Sequence, residues 1–222
     1  DLAAEGVDPS VMFVVPNGAD IVTCGHAWGE RLRLGYFGTM GLSQDLPTTL
    51  SYAVALAGKG LAESYLLVGE GAARADIERA MTAAPEGFLR LEHGMPMAEL
   101  EKHYATVDMT VVSLQKSGSF SGTIPSKIFQ SFARGVPVLF VGPEGDASKL
   151  VRDSGAGLAL CATESEDLAA LEEFAGRADL AEVLKRMSAA AVDFMERNYT
   201  RKRMADQMLS VLVEAVNKTQ QE

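Results

Sequence analysis

Cysteine is nearly absent from this chain. Its 222 residues hold only Cys24 and Cys161, too few and too far apart for a disulfide framework or a thiolate metal cluster, which points to a reducing, cytoplasmic setting. The three histidines, His26, His93 and His103, have no Cys or His at metal-ligand spacing, so no metal centre is expected. Apolar runs stop at six or seven residues, far short of the roughly 20 that a membrane helix needs. Positive charge is scarce as well. Twenty Lys and Arg face thirty Asp and Glu, a net charge of -10, which argues against a nucleic-acid partner because phosphate neutralisation needs clustered basic residues. No signal peptide, internal repeat or low-complexity linker is visible, and no Ser-His-Asp or Cys-His order suggests acyl transfer.

What is present is the material for one large, well-packed domain: 47% hydrophobic and 23% charged residues, with a mean hydropathy of +0.06. The apolar residues fall into short packets at Val11–Pro16, Leu32–Phe37, Tyr65–Val68, Gly87–Leu91, Met109–Leu114, Val136–Val141 and Gly157–Leu160. Most are continuous rather than alternating, as in strands buried on both faces. Helical spacing fills the intervals 47–58, 72–83, 97–105, 126–134, 147–153 and 164–175. Strand and helix in alternation predict a Rossmann-like α/β domain, a parallel sheet with helices on both faces. From Arg177 onward the period is helical only, a C-terminal pair broken near Asn198-Tyr199-Thr200, and the polar end, Lys218–Glu222, is expected to fray. The segment Leu2–Gly6 reads as the last turn of a helix, and the chain opens at Asp1 without methionine, as an excised piece of something longer would.

In an open parallel sheet ligands bind beyond the carboxyl ends of the strands. Three following loops stand out. Gly38-Thr39-Met40-Gly41 and Gly69-Glu70-Gly71 are glycine-flanked turns able to bring backbone N–H groups near an anion. Lys116 to Lys127 combines glycines, hydroxyls and two lysines, and leads into a helix start at Pro125-Ser126, where a phosphate could sit with Lys127 adding a full charge. Each loop alone is also ordinary turn chemistry; their convergence on one crevice carries the weight. Neither a dinucleotide fingerprint nor a Walker loop is present, so a nicotinamide-dependent oxidoreductase is set aside. His93 lies at the same edge, and the run His26–Glu30 around Trp28 reads as a surface connector.

Four segments together resemble the C-terminal, donor-binding half of a GT-B-fold glycosyltransferase of family 4 (group 1). They are Val15-Pro-Asn-Gly-Ala-Asp20, Leu34-Gly-Tyr-Phe-Gly-Thr-Met-Gly41, Leu67-Val-Gly-Glu-Gly71 and Ile124-Pro-Ser-Lys-Ile-Phe-Gln-Ser-Phe-Ala-Arg-Gly-Val-Pro-Val138. The resemblance spans roughly residues 11 to 160, with Gly155-Ala-Gly157 fitting a following motif. It implies a retaining, metal-independent transfer from a UDP-, GDP- or ADP-linked sugar to a glycan or lipid-linked acceptor, as in polysaccharide biosynthesis, with no cofactor beyond the donor itself. It also implies a layout: residues 1–20 closing a preceding domain and its linker, 21–176 binding the nucleotide sugar, and 177–222 packing on this domain or crossing to the other. Peripheral membrane contact would run through that other domain.

The donor-binding residues so implied are Gly38, Thr39, Gly41, Gly69, Gly71, His93, Ser121, Gly122, Thr123, Ser126, Lys127 and Gln130, with residues 91–95 lining the base. Three positions depart from the family pattern. Gln130 replaces the glutamate that accepts hydrogen bonds from the donor ribose. Gly122, eight positions earlier, replaces an acidic residue, so the amides of Ser121–Thr123 are expected to contact sugar or phosphate. Ser43-Gln44-Asp45 stands where a basic pair is usual, leaving Lys127, with Lys116, to neutralise the diphosphate. These departures support an alternative, a non-catalytic GT-B-like module with a degenerate donor site that serves partner or subunit contact.

Overall fold

A computed structural model describes residues 5–22, 24–82 and 84–219, without the side chains of 218 and 219. The helix end expected around Leu2 therefore lies largely outside the described residues, as do the last residues of the polar tail.

Six strands form the sheet: β1 (Leu32–Phe37), β2 (Ala62–Val68), β3 (Leu89–Glu92), β4 (Met109–Ser113), β5 (Val138–Val141) and β6 (Gly157–Leu160). All neighbouring pairs are parallel, in the order β3-β2-β1-β4-β5-β6. The helices α1 (Leu46–Gly58), α2 (Arg74–Met81), α3 (Met97–Tyr104), α4 (Ser126–Phe132), α5 (Asp146–Ser154) and α6 (Glu164–Ala175) fall between and after the strands, and α7 (Leu180–Asn198) and α8 (Arg201–Thr219) complete the chain. The expected Rossmann-like sheet with helices on both faces is the fold observed. Every parallel pair needs a crossover, and the helical intervals supply them.

Continuous apolar strands are explained by a core on each face. One packs Tyr36, Tyr65, Leu34 and Leu67 under α1, α2 and α6; the other packs Val112, Phe140, Phe129 and Phe132 under α4, α5 and α7. Helix α7 buries Leu180 and Leu184 in the first and Ala191 and Met195 in the second, so it packs on this sheet's helices and strands. Helix α8 differs. Met208, Leu209, Leu212, Val213 and Val216 recur at helical spacing and are all exposed.

One expected strand does not form. Residues 11–16 follow a single 3-10 turn (Pro9–Val11) as irregular chain, with Val11 63%, Phe13 46% and Val14 82% exposed. An apolar run becomes a strand only where a neighbouring edge pairs its N–H and C=O groups, and neither edge strand of this sheet, β3 or β6, pairs with it. Tethering comes further on: Ala19 bridges Thr200, and the Val22 N–H donates to the Ala133 carbonyl. The Trp28 connector is less superficial than expected, since Trp28 stacks on His26 and packs against the first core cluster.

Candidate functional site

Strand order reverses between β1 and β4, because β2 and β3 continue to one side while β4 returns to the other. A crevice opens at such a reversal, beyond the carboxyl ends of the two strands. The loops after β1 and β4 meet there: the Gln115 N–H donates to the Ser43 carbonyl (2.9 Å) and its side-chain amide to the Leu42 carbonyl (2.7 Å). The glycines let the β1 and β2 loops pack backbone to backbone. A Cβ on Gly69 would lie 1.9 Å from the Gly38 carbonyl oxygen, and one on Gly71 would lie 2.2 Å from that of Met40.

Lys127 reaches this point from the first turn of α4. Its Nζ donates to the Tyr36 hydroxyl (2.5 Å) and to the Thr39 carbonyl (3.2 Å), and it sits 4.2 Å above the Tyr36 ring. The Tyr36 hydroxyl is free to accept because its own proton goes to the Thr39 carbonyl. An ammonium has three N–H donors, and two are spent, which leaves one for a ligand. Burial pushes the Lys127 pKa down to about 8, and no carboxylate pairs with it among the described residues. Helix α4 has only seven residues, so its dipole is small, although the Ser126 and Lys127 N–H groups lack intrahelical acceptors. The charge at the crevice therefore rests mainly on Lys127.

The glycine-loop amides are less available than the sequence suggested. Gly38 N–H donates to the Val68 carbonyl, Met40 N–H to the Glu70 carbonyl, and Gly41 N–H to the Gln44 side-chain oxygen at 2.9 Å. The β4 loop is similar. Ser121 and Thr123 spend their N–H groups on the Gly118 and Phe120 carbonyls, so of the three expected contacts only the Gly122 N–H has no acceptor among the described residues. The Ser121 carbonyl in turn accepts from the Asp146 N–H (2.8 Å), and Gly145 fits against it. Lys116 is not a crevice residue: its Nζ binds the Asp167 carboxylate (2.5 Å) and the Ala162 carbonyl (2.6 Å) beyond β6. A buried carboxylate outcompetes solvent for the nearest lysine.

His93 lies at the sheet's carboxyl edge, as expected, but its partner is Glu70, at 2.6 Å, with the Gly94 N–H on the same oxygen. The bond to His93 holds the Glu70 carboxyl below its usual range. Gln130 is half-buried one helical turn behind Lys127, and its Oε1 accepts from Arg134 at 2.9 Å. Tyr36 and Arg134 escaped the sequence reading as site residues, and Gln44 entered it only as a replacement for a basic residue, not as the partner of the Gly41 amide. Tyr36 hides in an apolar strand, whereas the i,i+4 spacing of Gln130 and Arg134 was a readable signal. Among the described residues no group of three His, Cys, Asp or Glu is placed to hold a metal ion. A hollow of about 330 Å³ lies off the crevice, beside Ile124 between α5 and the junction of α7 and α8.

No protein-family model matches this chain, and no curated protein matches it in sequence. Solved structures do match in fold. The S. aureus TarM mutant crystallised with Fondaparinux, alpha-GlcNAc-glycerol and UDP superposes with a TM-score of 0.73 at 14% identity, over 94% of this chain and 41% of that one. Anabaena HepE in complex with UDP and glucose gives 0.66 at 14% identity, over 83% and 48%. The C-terminal domain of a group 1 glycosyl transferase, LpcC of Francisella tularensis, gives 0.56 at 13% identity, over 77% of this chain and 87% of that domain. The chain thus spans about 41% of the length of TarM, and it has the fold of one half of such glycosyltransferases.

Proposed function

We propose that this chain is the nucleotide-sugar-binding half of a glycosyltransferase. The observation that carries the reading is Lys127: a half-buried ammonium with a spare N–H, set at the β1/β4 reversal of a fold shared with enzymes crystallised with UDP. In this reading a UDP-linked sugar lays its diphosphate against Lys127 and the Gly122 and α4 amides, and its ribose near Gln130. Its base reaches the β3 loop around His93. Positive charge fixed where the leaving diphosphate develops its own charge is the dominant contribution expected in such a transfer. The transfer retains anomeric configuration, needs no metal, and delivers to a glycan or lipid-linked acceptor; GDP and ADP donors are secondary candidates.

The acceptor site and any catalytic group belong, in this proposal, to a second Rossmann-like domain of the same protein. That domain covers the exposed apolar face of α8 and makes the membrane contact of an otherwise cytoplasmic enzyme. The chain by itself then binds nucleotide without turnover. Calorimetry with millimolar UDP tests this: heat of binding that vanishes in Lys127→Ala is the expected outcome, and a flat titration of the unsubstituted protein would sink the proposal.

One observation favours the alternative of a non-catalytic module, the engagement of the Gly41 amide by Gln44. A module of that kind gains no thermal stability from UDP, with or without Lys127.

A further inference from the structure

The Gln130 side chain is held by an arginine that leaves it only one chemical face. Arg134 is buried, 4% exposed, with its guanidinium 4.8 Å from the Tyr104 ring centroid. Its Nη1 donates both to the Gln130 carbonyl and to Gln130 Oε1, each at 2.9 Å, and its Nη2 donates to Glu101 at 3.1 Å. A guanidinium has donors and no acceptor, so the carboxamide atom facing it must be oxygen. That settles the amide orientation chemically. The remaining atom, Nε2, has no partner among the described residues, and Gln130 shares the Lys127 face of α4, three positions on.

Resting on the donor-binding reading, we infer that Arg134 is a positioning residue that makes Gln130 a hydrogen-bond donor to the nucleotide's ribose. The ribose hydroxyl is therefore held through its oxygen lone pair, not through its proton. A carboxylate at position 130 would do the reverse, accepting from Arg134 with one oxygen and from the ribose with the other. Arg134 acts through Gln130 and touches no ligand.

The polarity is tested by comparing UDP with its 2′-O-methyl and 3′-O-methyl derivatives, whose ether oxygens still accept but cannot donate, on the unsubstituted protein and on Gln130→Glu. Steric cost of the methyl group is common to both proteins and cancels in the cycle. The expected result is that at least one of the two methyl penalties in Kd is about five- to tenfold larger in Gln130→Glu, the size of one hydrogen bond. Equal penalties at both positions, or a larger one in the unsubstituted protein, overturn the inference. UDP binding that is absent in every variant overturns the donor-binding reading itself and this inference with it.

The role of Arg134 is read from the ratio of Kd for 2′,3′-dideoxy-UDP to that for UDP. Releasing the carboxamide with Arg134→Met should bring that ratio close to one, and Arg134→Lys, which can still donate to Oε1, should restore it. Simple loss of stability would weaken both ligands alike and leave the ratio unchanged, which would remove Arg134 from the account.

Discussion

Lys127 Nζ lies 2.5 Å from the Tyr36 hydroxyl oxygen, above the same ring. The phenol ties the first turn of α4 to the loop after β1, since it accepts from the α4 lysine and donates to the Thr39 carbonyl. Tyr36→Phe keeps the buried ring and removes both bonds. Affinity for UDP should fall about fivefold to tenfold, the effect of one or two hydrogen bonds, and in a Lys127→Ala background the same change should do nothing. Isothermal titration of the two single variants and the double variant measures that coupling.

The pH dependence follows from the lysine's burial. With its pKa pushed down to about 8, the free protein carries the ammonium at neutral pH and loses it as pH rises. UDP is already fully ionised there, its last phosphate pKa being about 6. Its Kd should be flat from about pH 7 to 7.5 and weaken by up to about tenfold per unit above 8, with proton uptake on binding. Calorimetry in buffers of different ionisation enthalpy detects that uptake. Stability of the free protein moves oppositely: between about 8 and the ordinary lysine value of 10.5 the unfolded chain binds the extra proton, so Lys127 contributes a rise in stability with pH.

Gly69 has no room for a side chain, because its Cβ would meet the Gly38 carbonyl oxygen at 1.9 Å. Gly69→Ala should cost about 2–4 kcal/mol in urea unfolding, from overpacking plus backbone strain, and disturb the loop beside Lys127. Gly122→Ala, where a Cβ meets nothing within 4 Å, should leave stability within about 0.5 kcal/mol. Similar losses in both variants would contradict the close backbone packing.

Lys116 serves structure in this account. Asp167 is 2% exposed and accepts from both Lys116 and the Ala162 N–H. Lys116→Met should destabilise by about 2–3 kcal/mol by stranding a buried carboxylate, while UDP affinity stays unchanged. A drop in affinity at constant stability would return Lys116 to the donor site.

Much of this architecture was legible in the residues. Leu32–Phe37, Met109–Ser113 and Val138–Val141 are mostly apolar and do not alternate with charged residues, and burial on both faces, complete but for Arg33, follows from such a pattern. The break between α7 and α8 fell where the apolar spacing lapses, at Tyr199-Thr200. Val11–Pro16 misled because its composition resembles a strand, whereas a strand also needs an edge to pair with. Its exposed valines show apolarity without a partner.

By itself, the sequence determined the order of strands and helices, the glycine turns at the carboxyl edge and the position of Lys127 at the start of α4. These depend on short-range sterics and on burial along one element, which residue type and period report. Only the tertiary structure decided which polar groups remain free. It gave Lys116 to Asp167, the Gly41 amide to Gln44 and the Gln130 oxygen to Arg134, and it buried Lys127 against Tyr36 with one donor to spare. Hydrogen-bond partners are chosen in three dimensions, by whichever donors and acceptors folding brings within 3 Å or so.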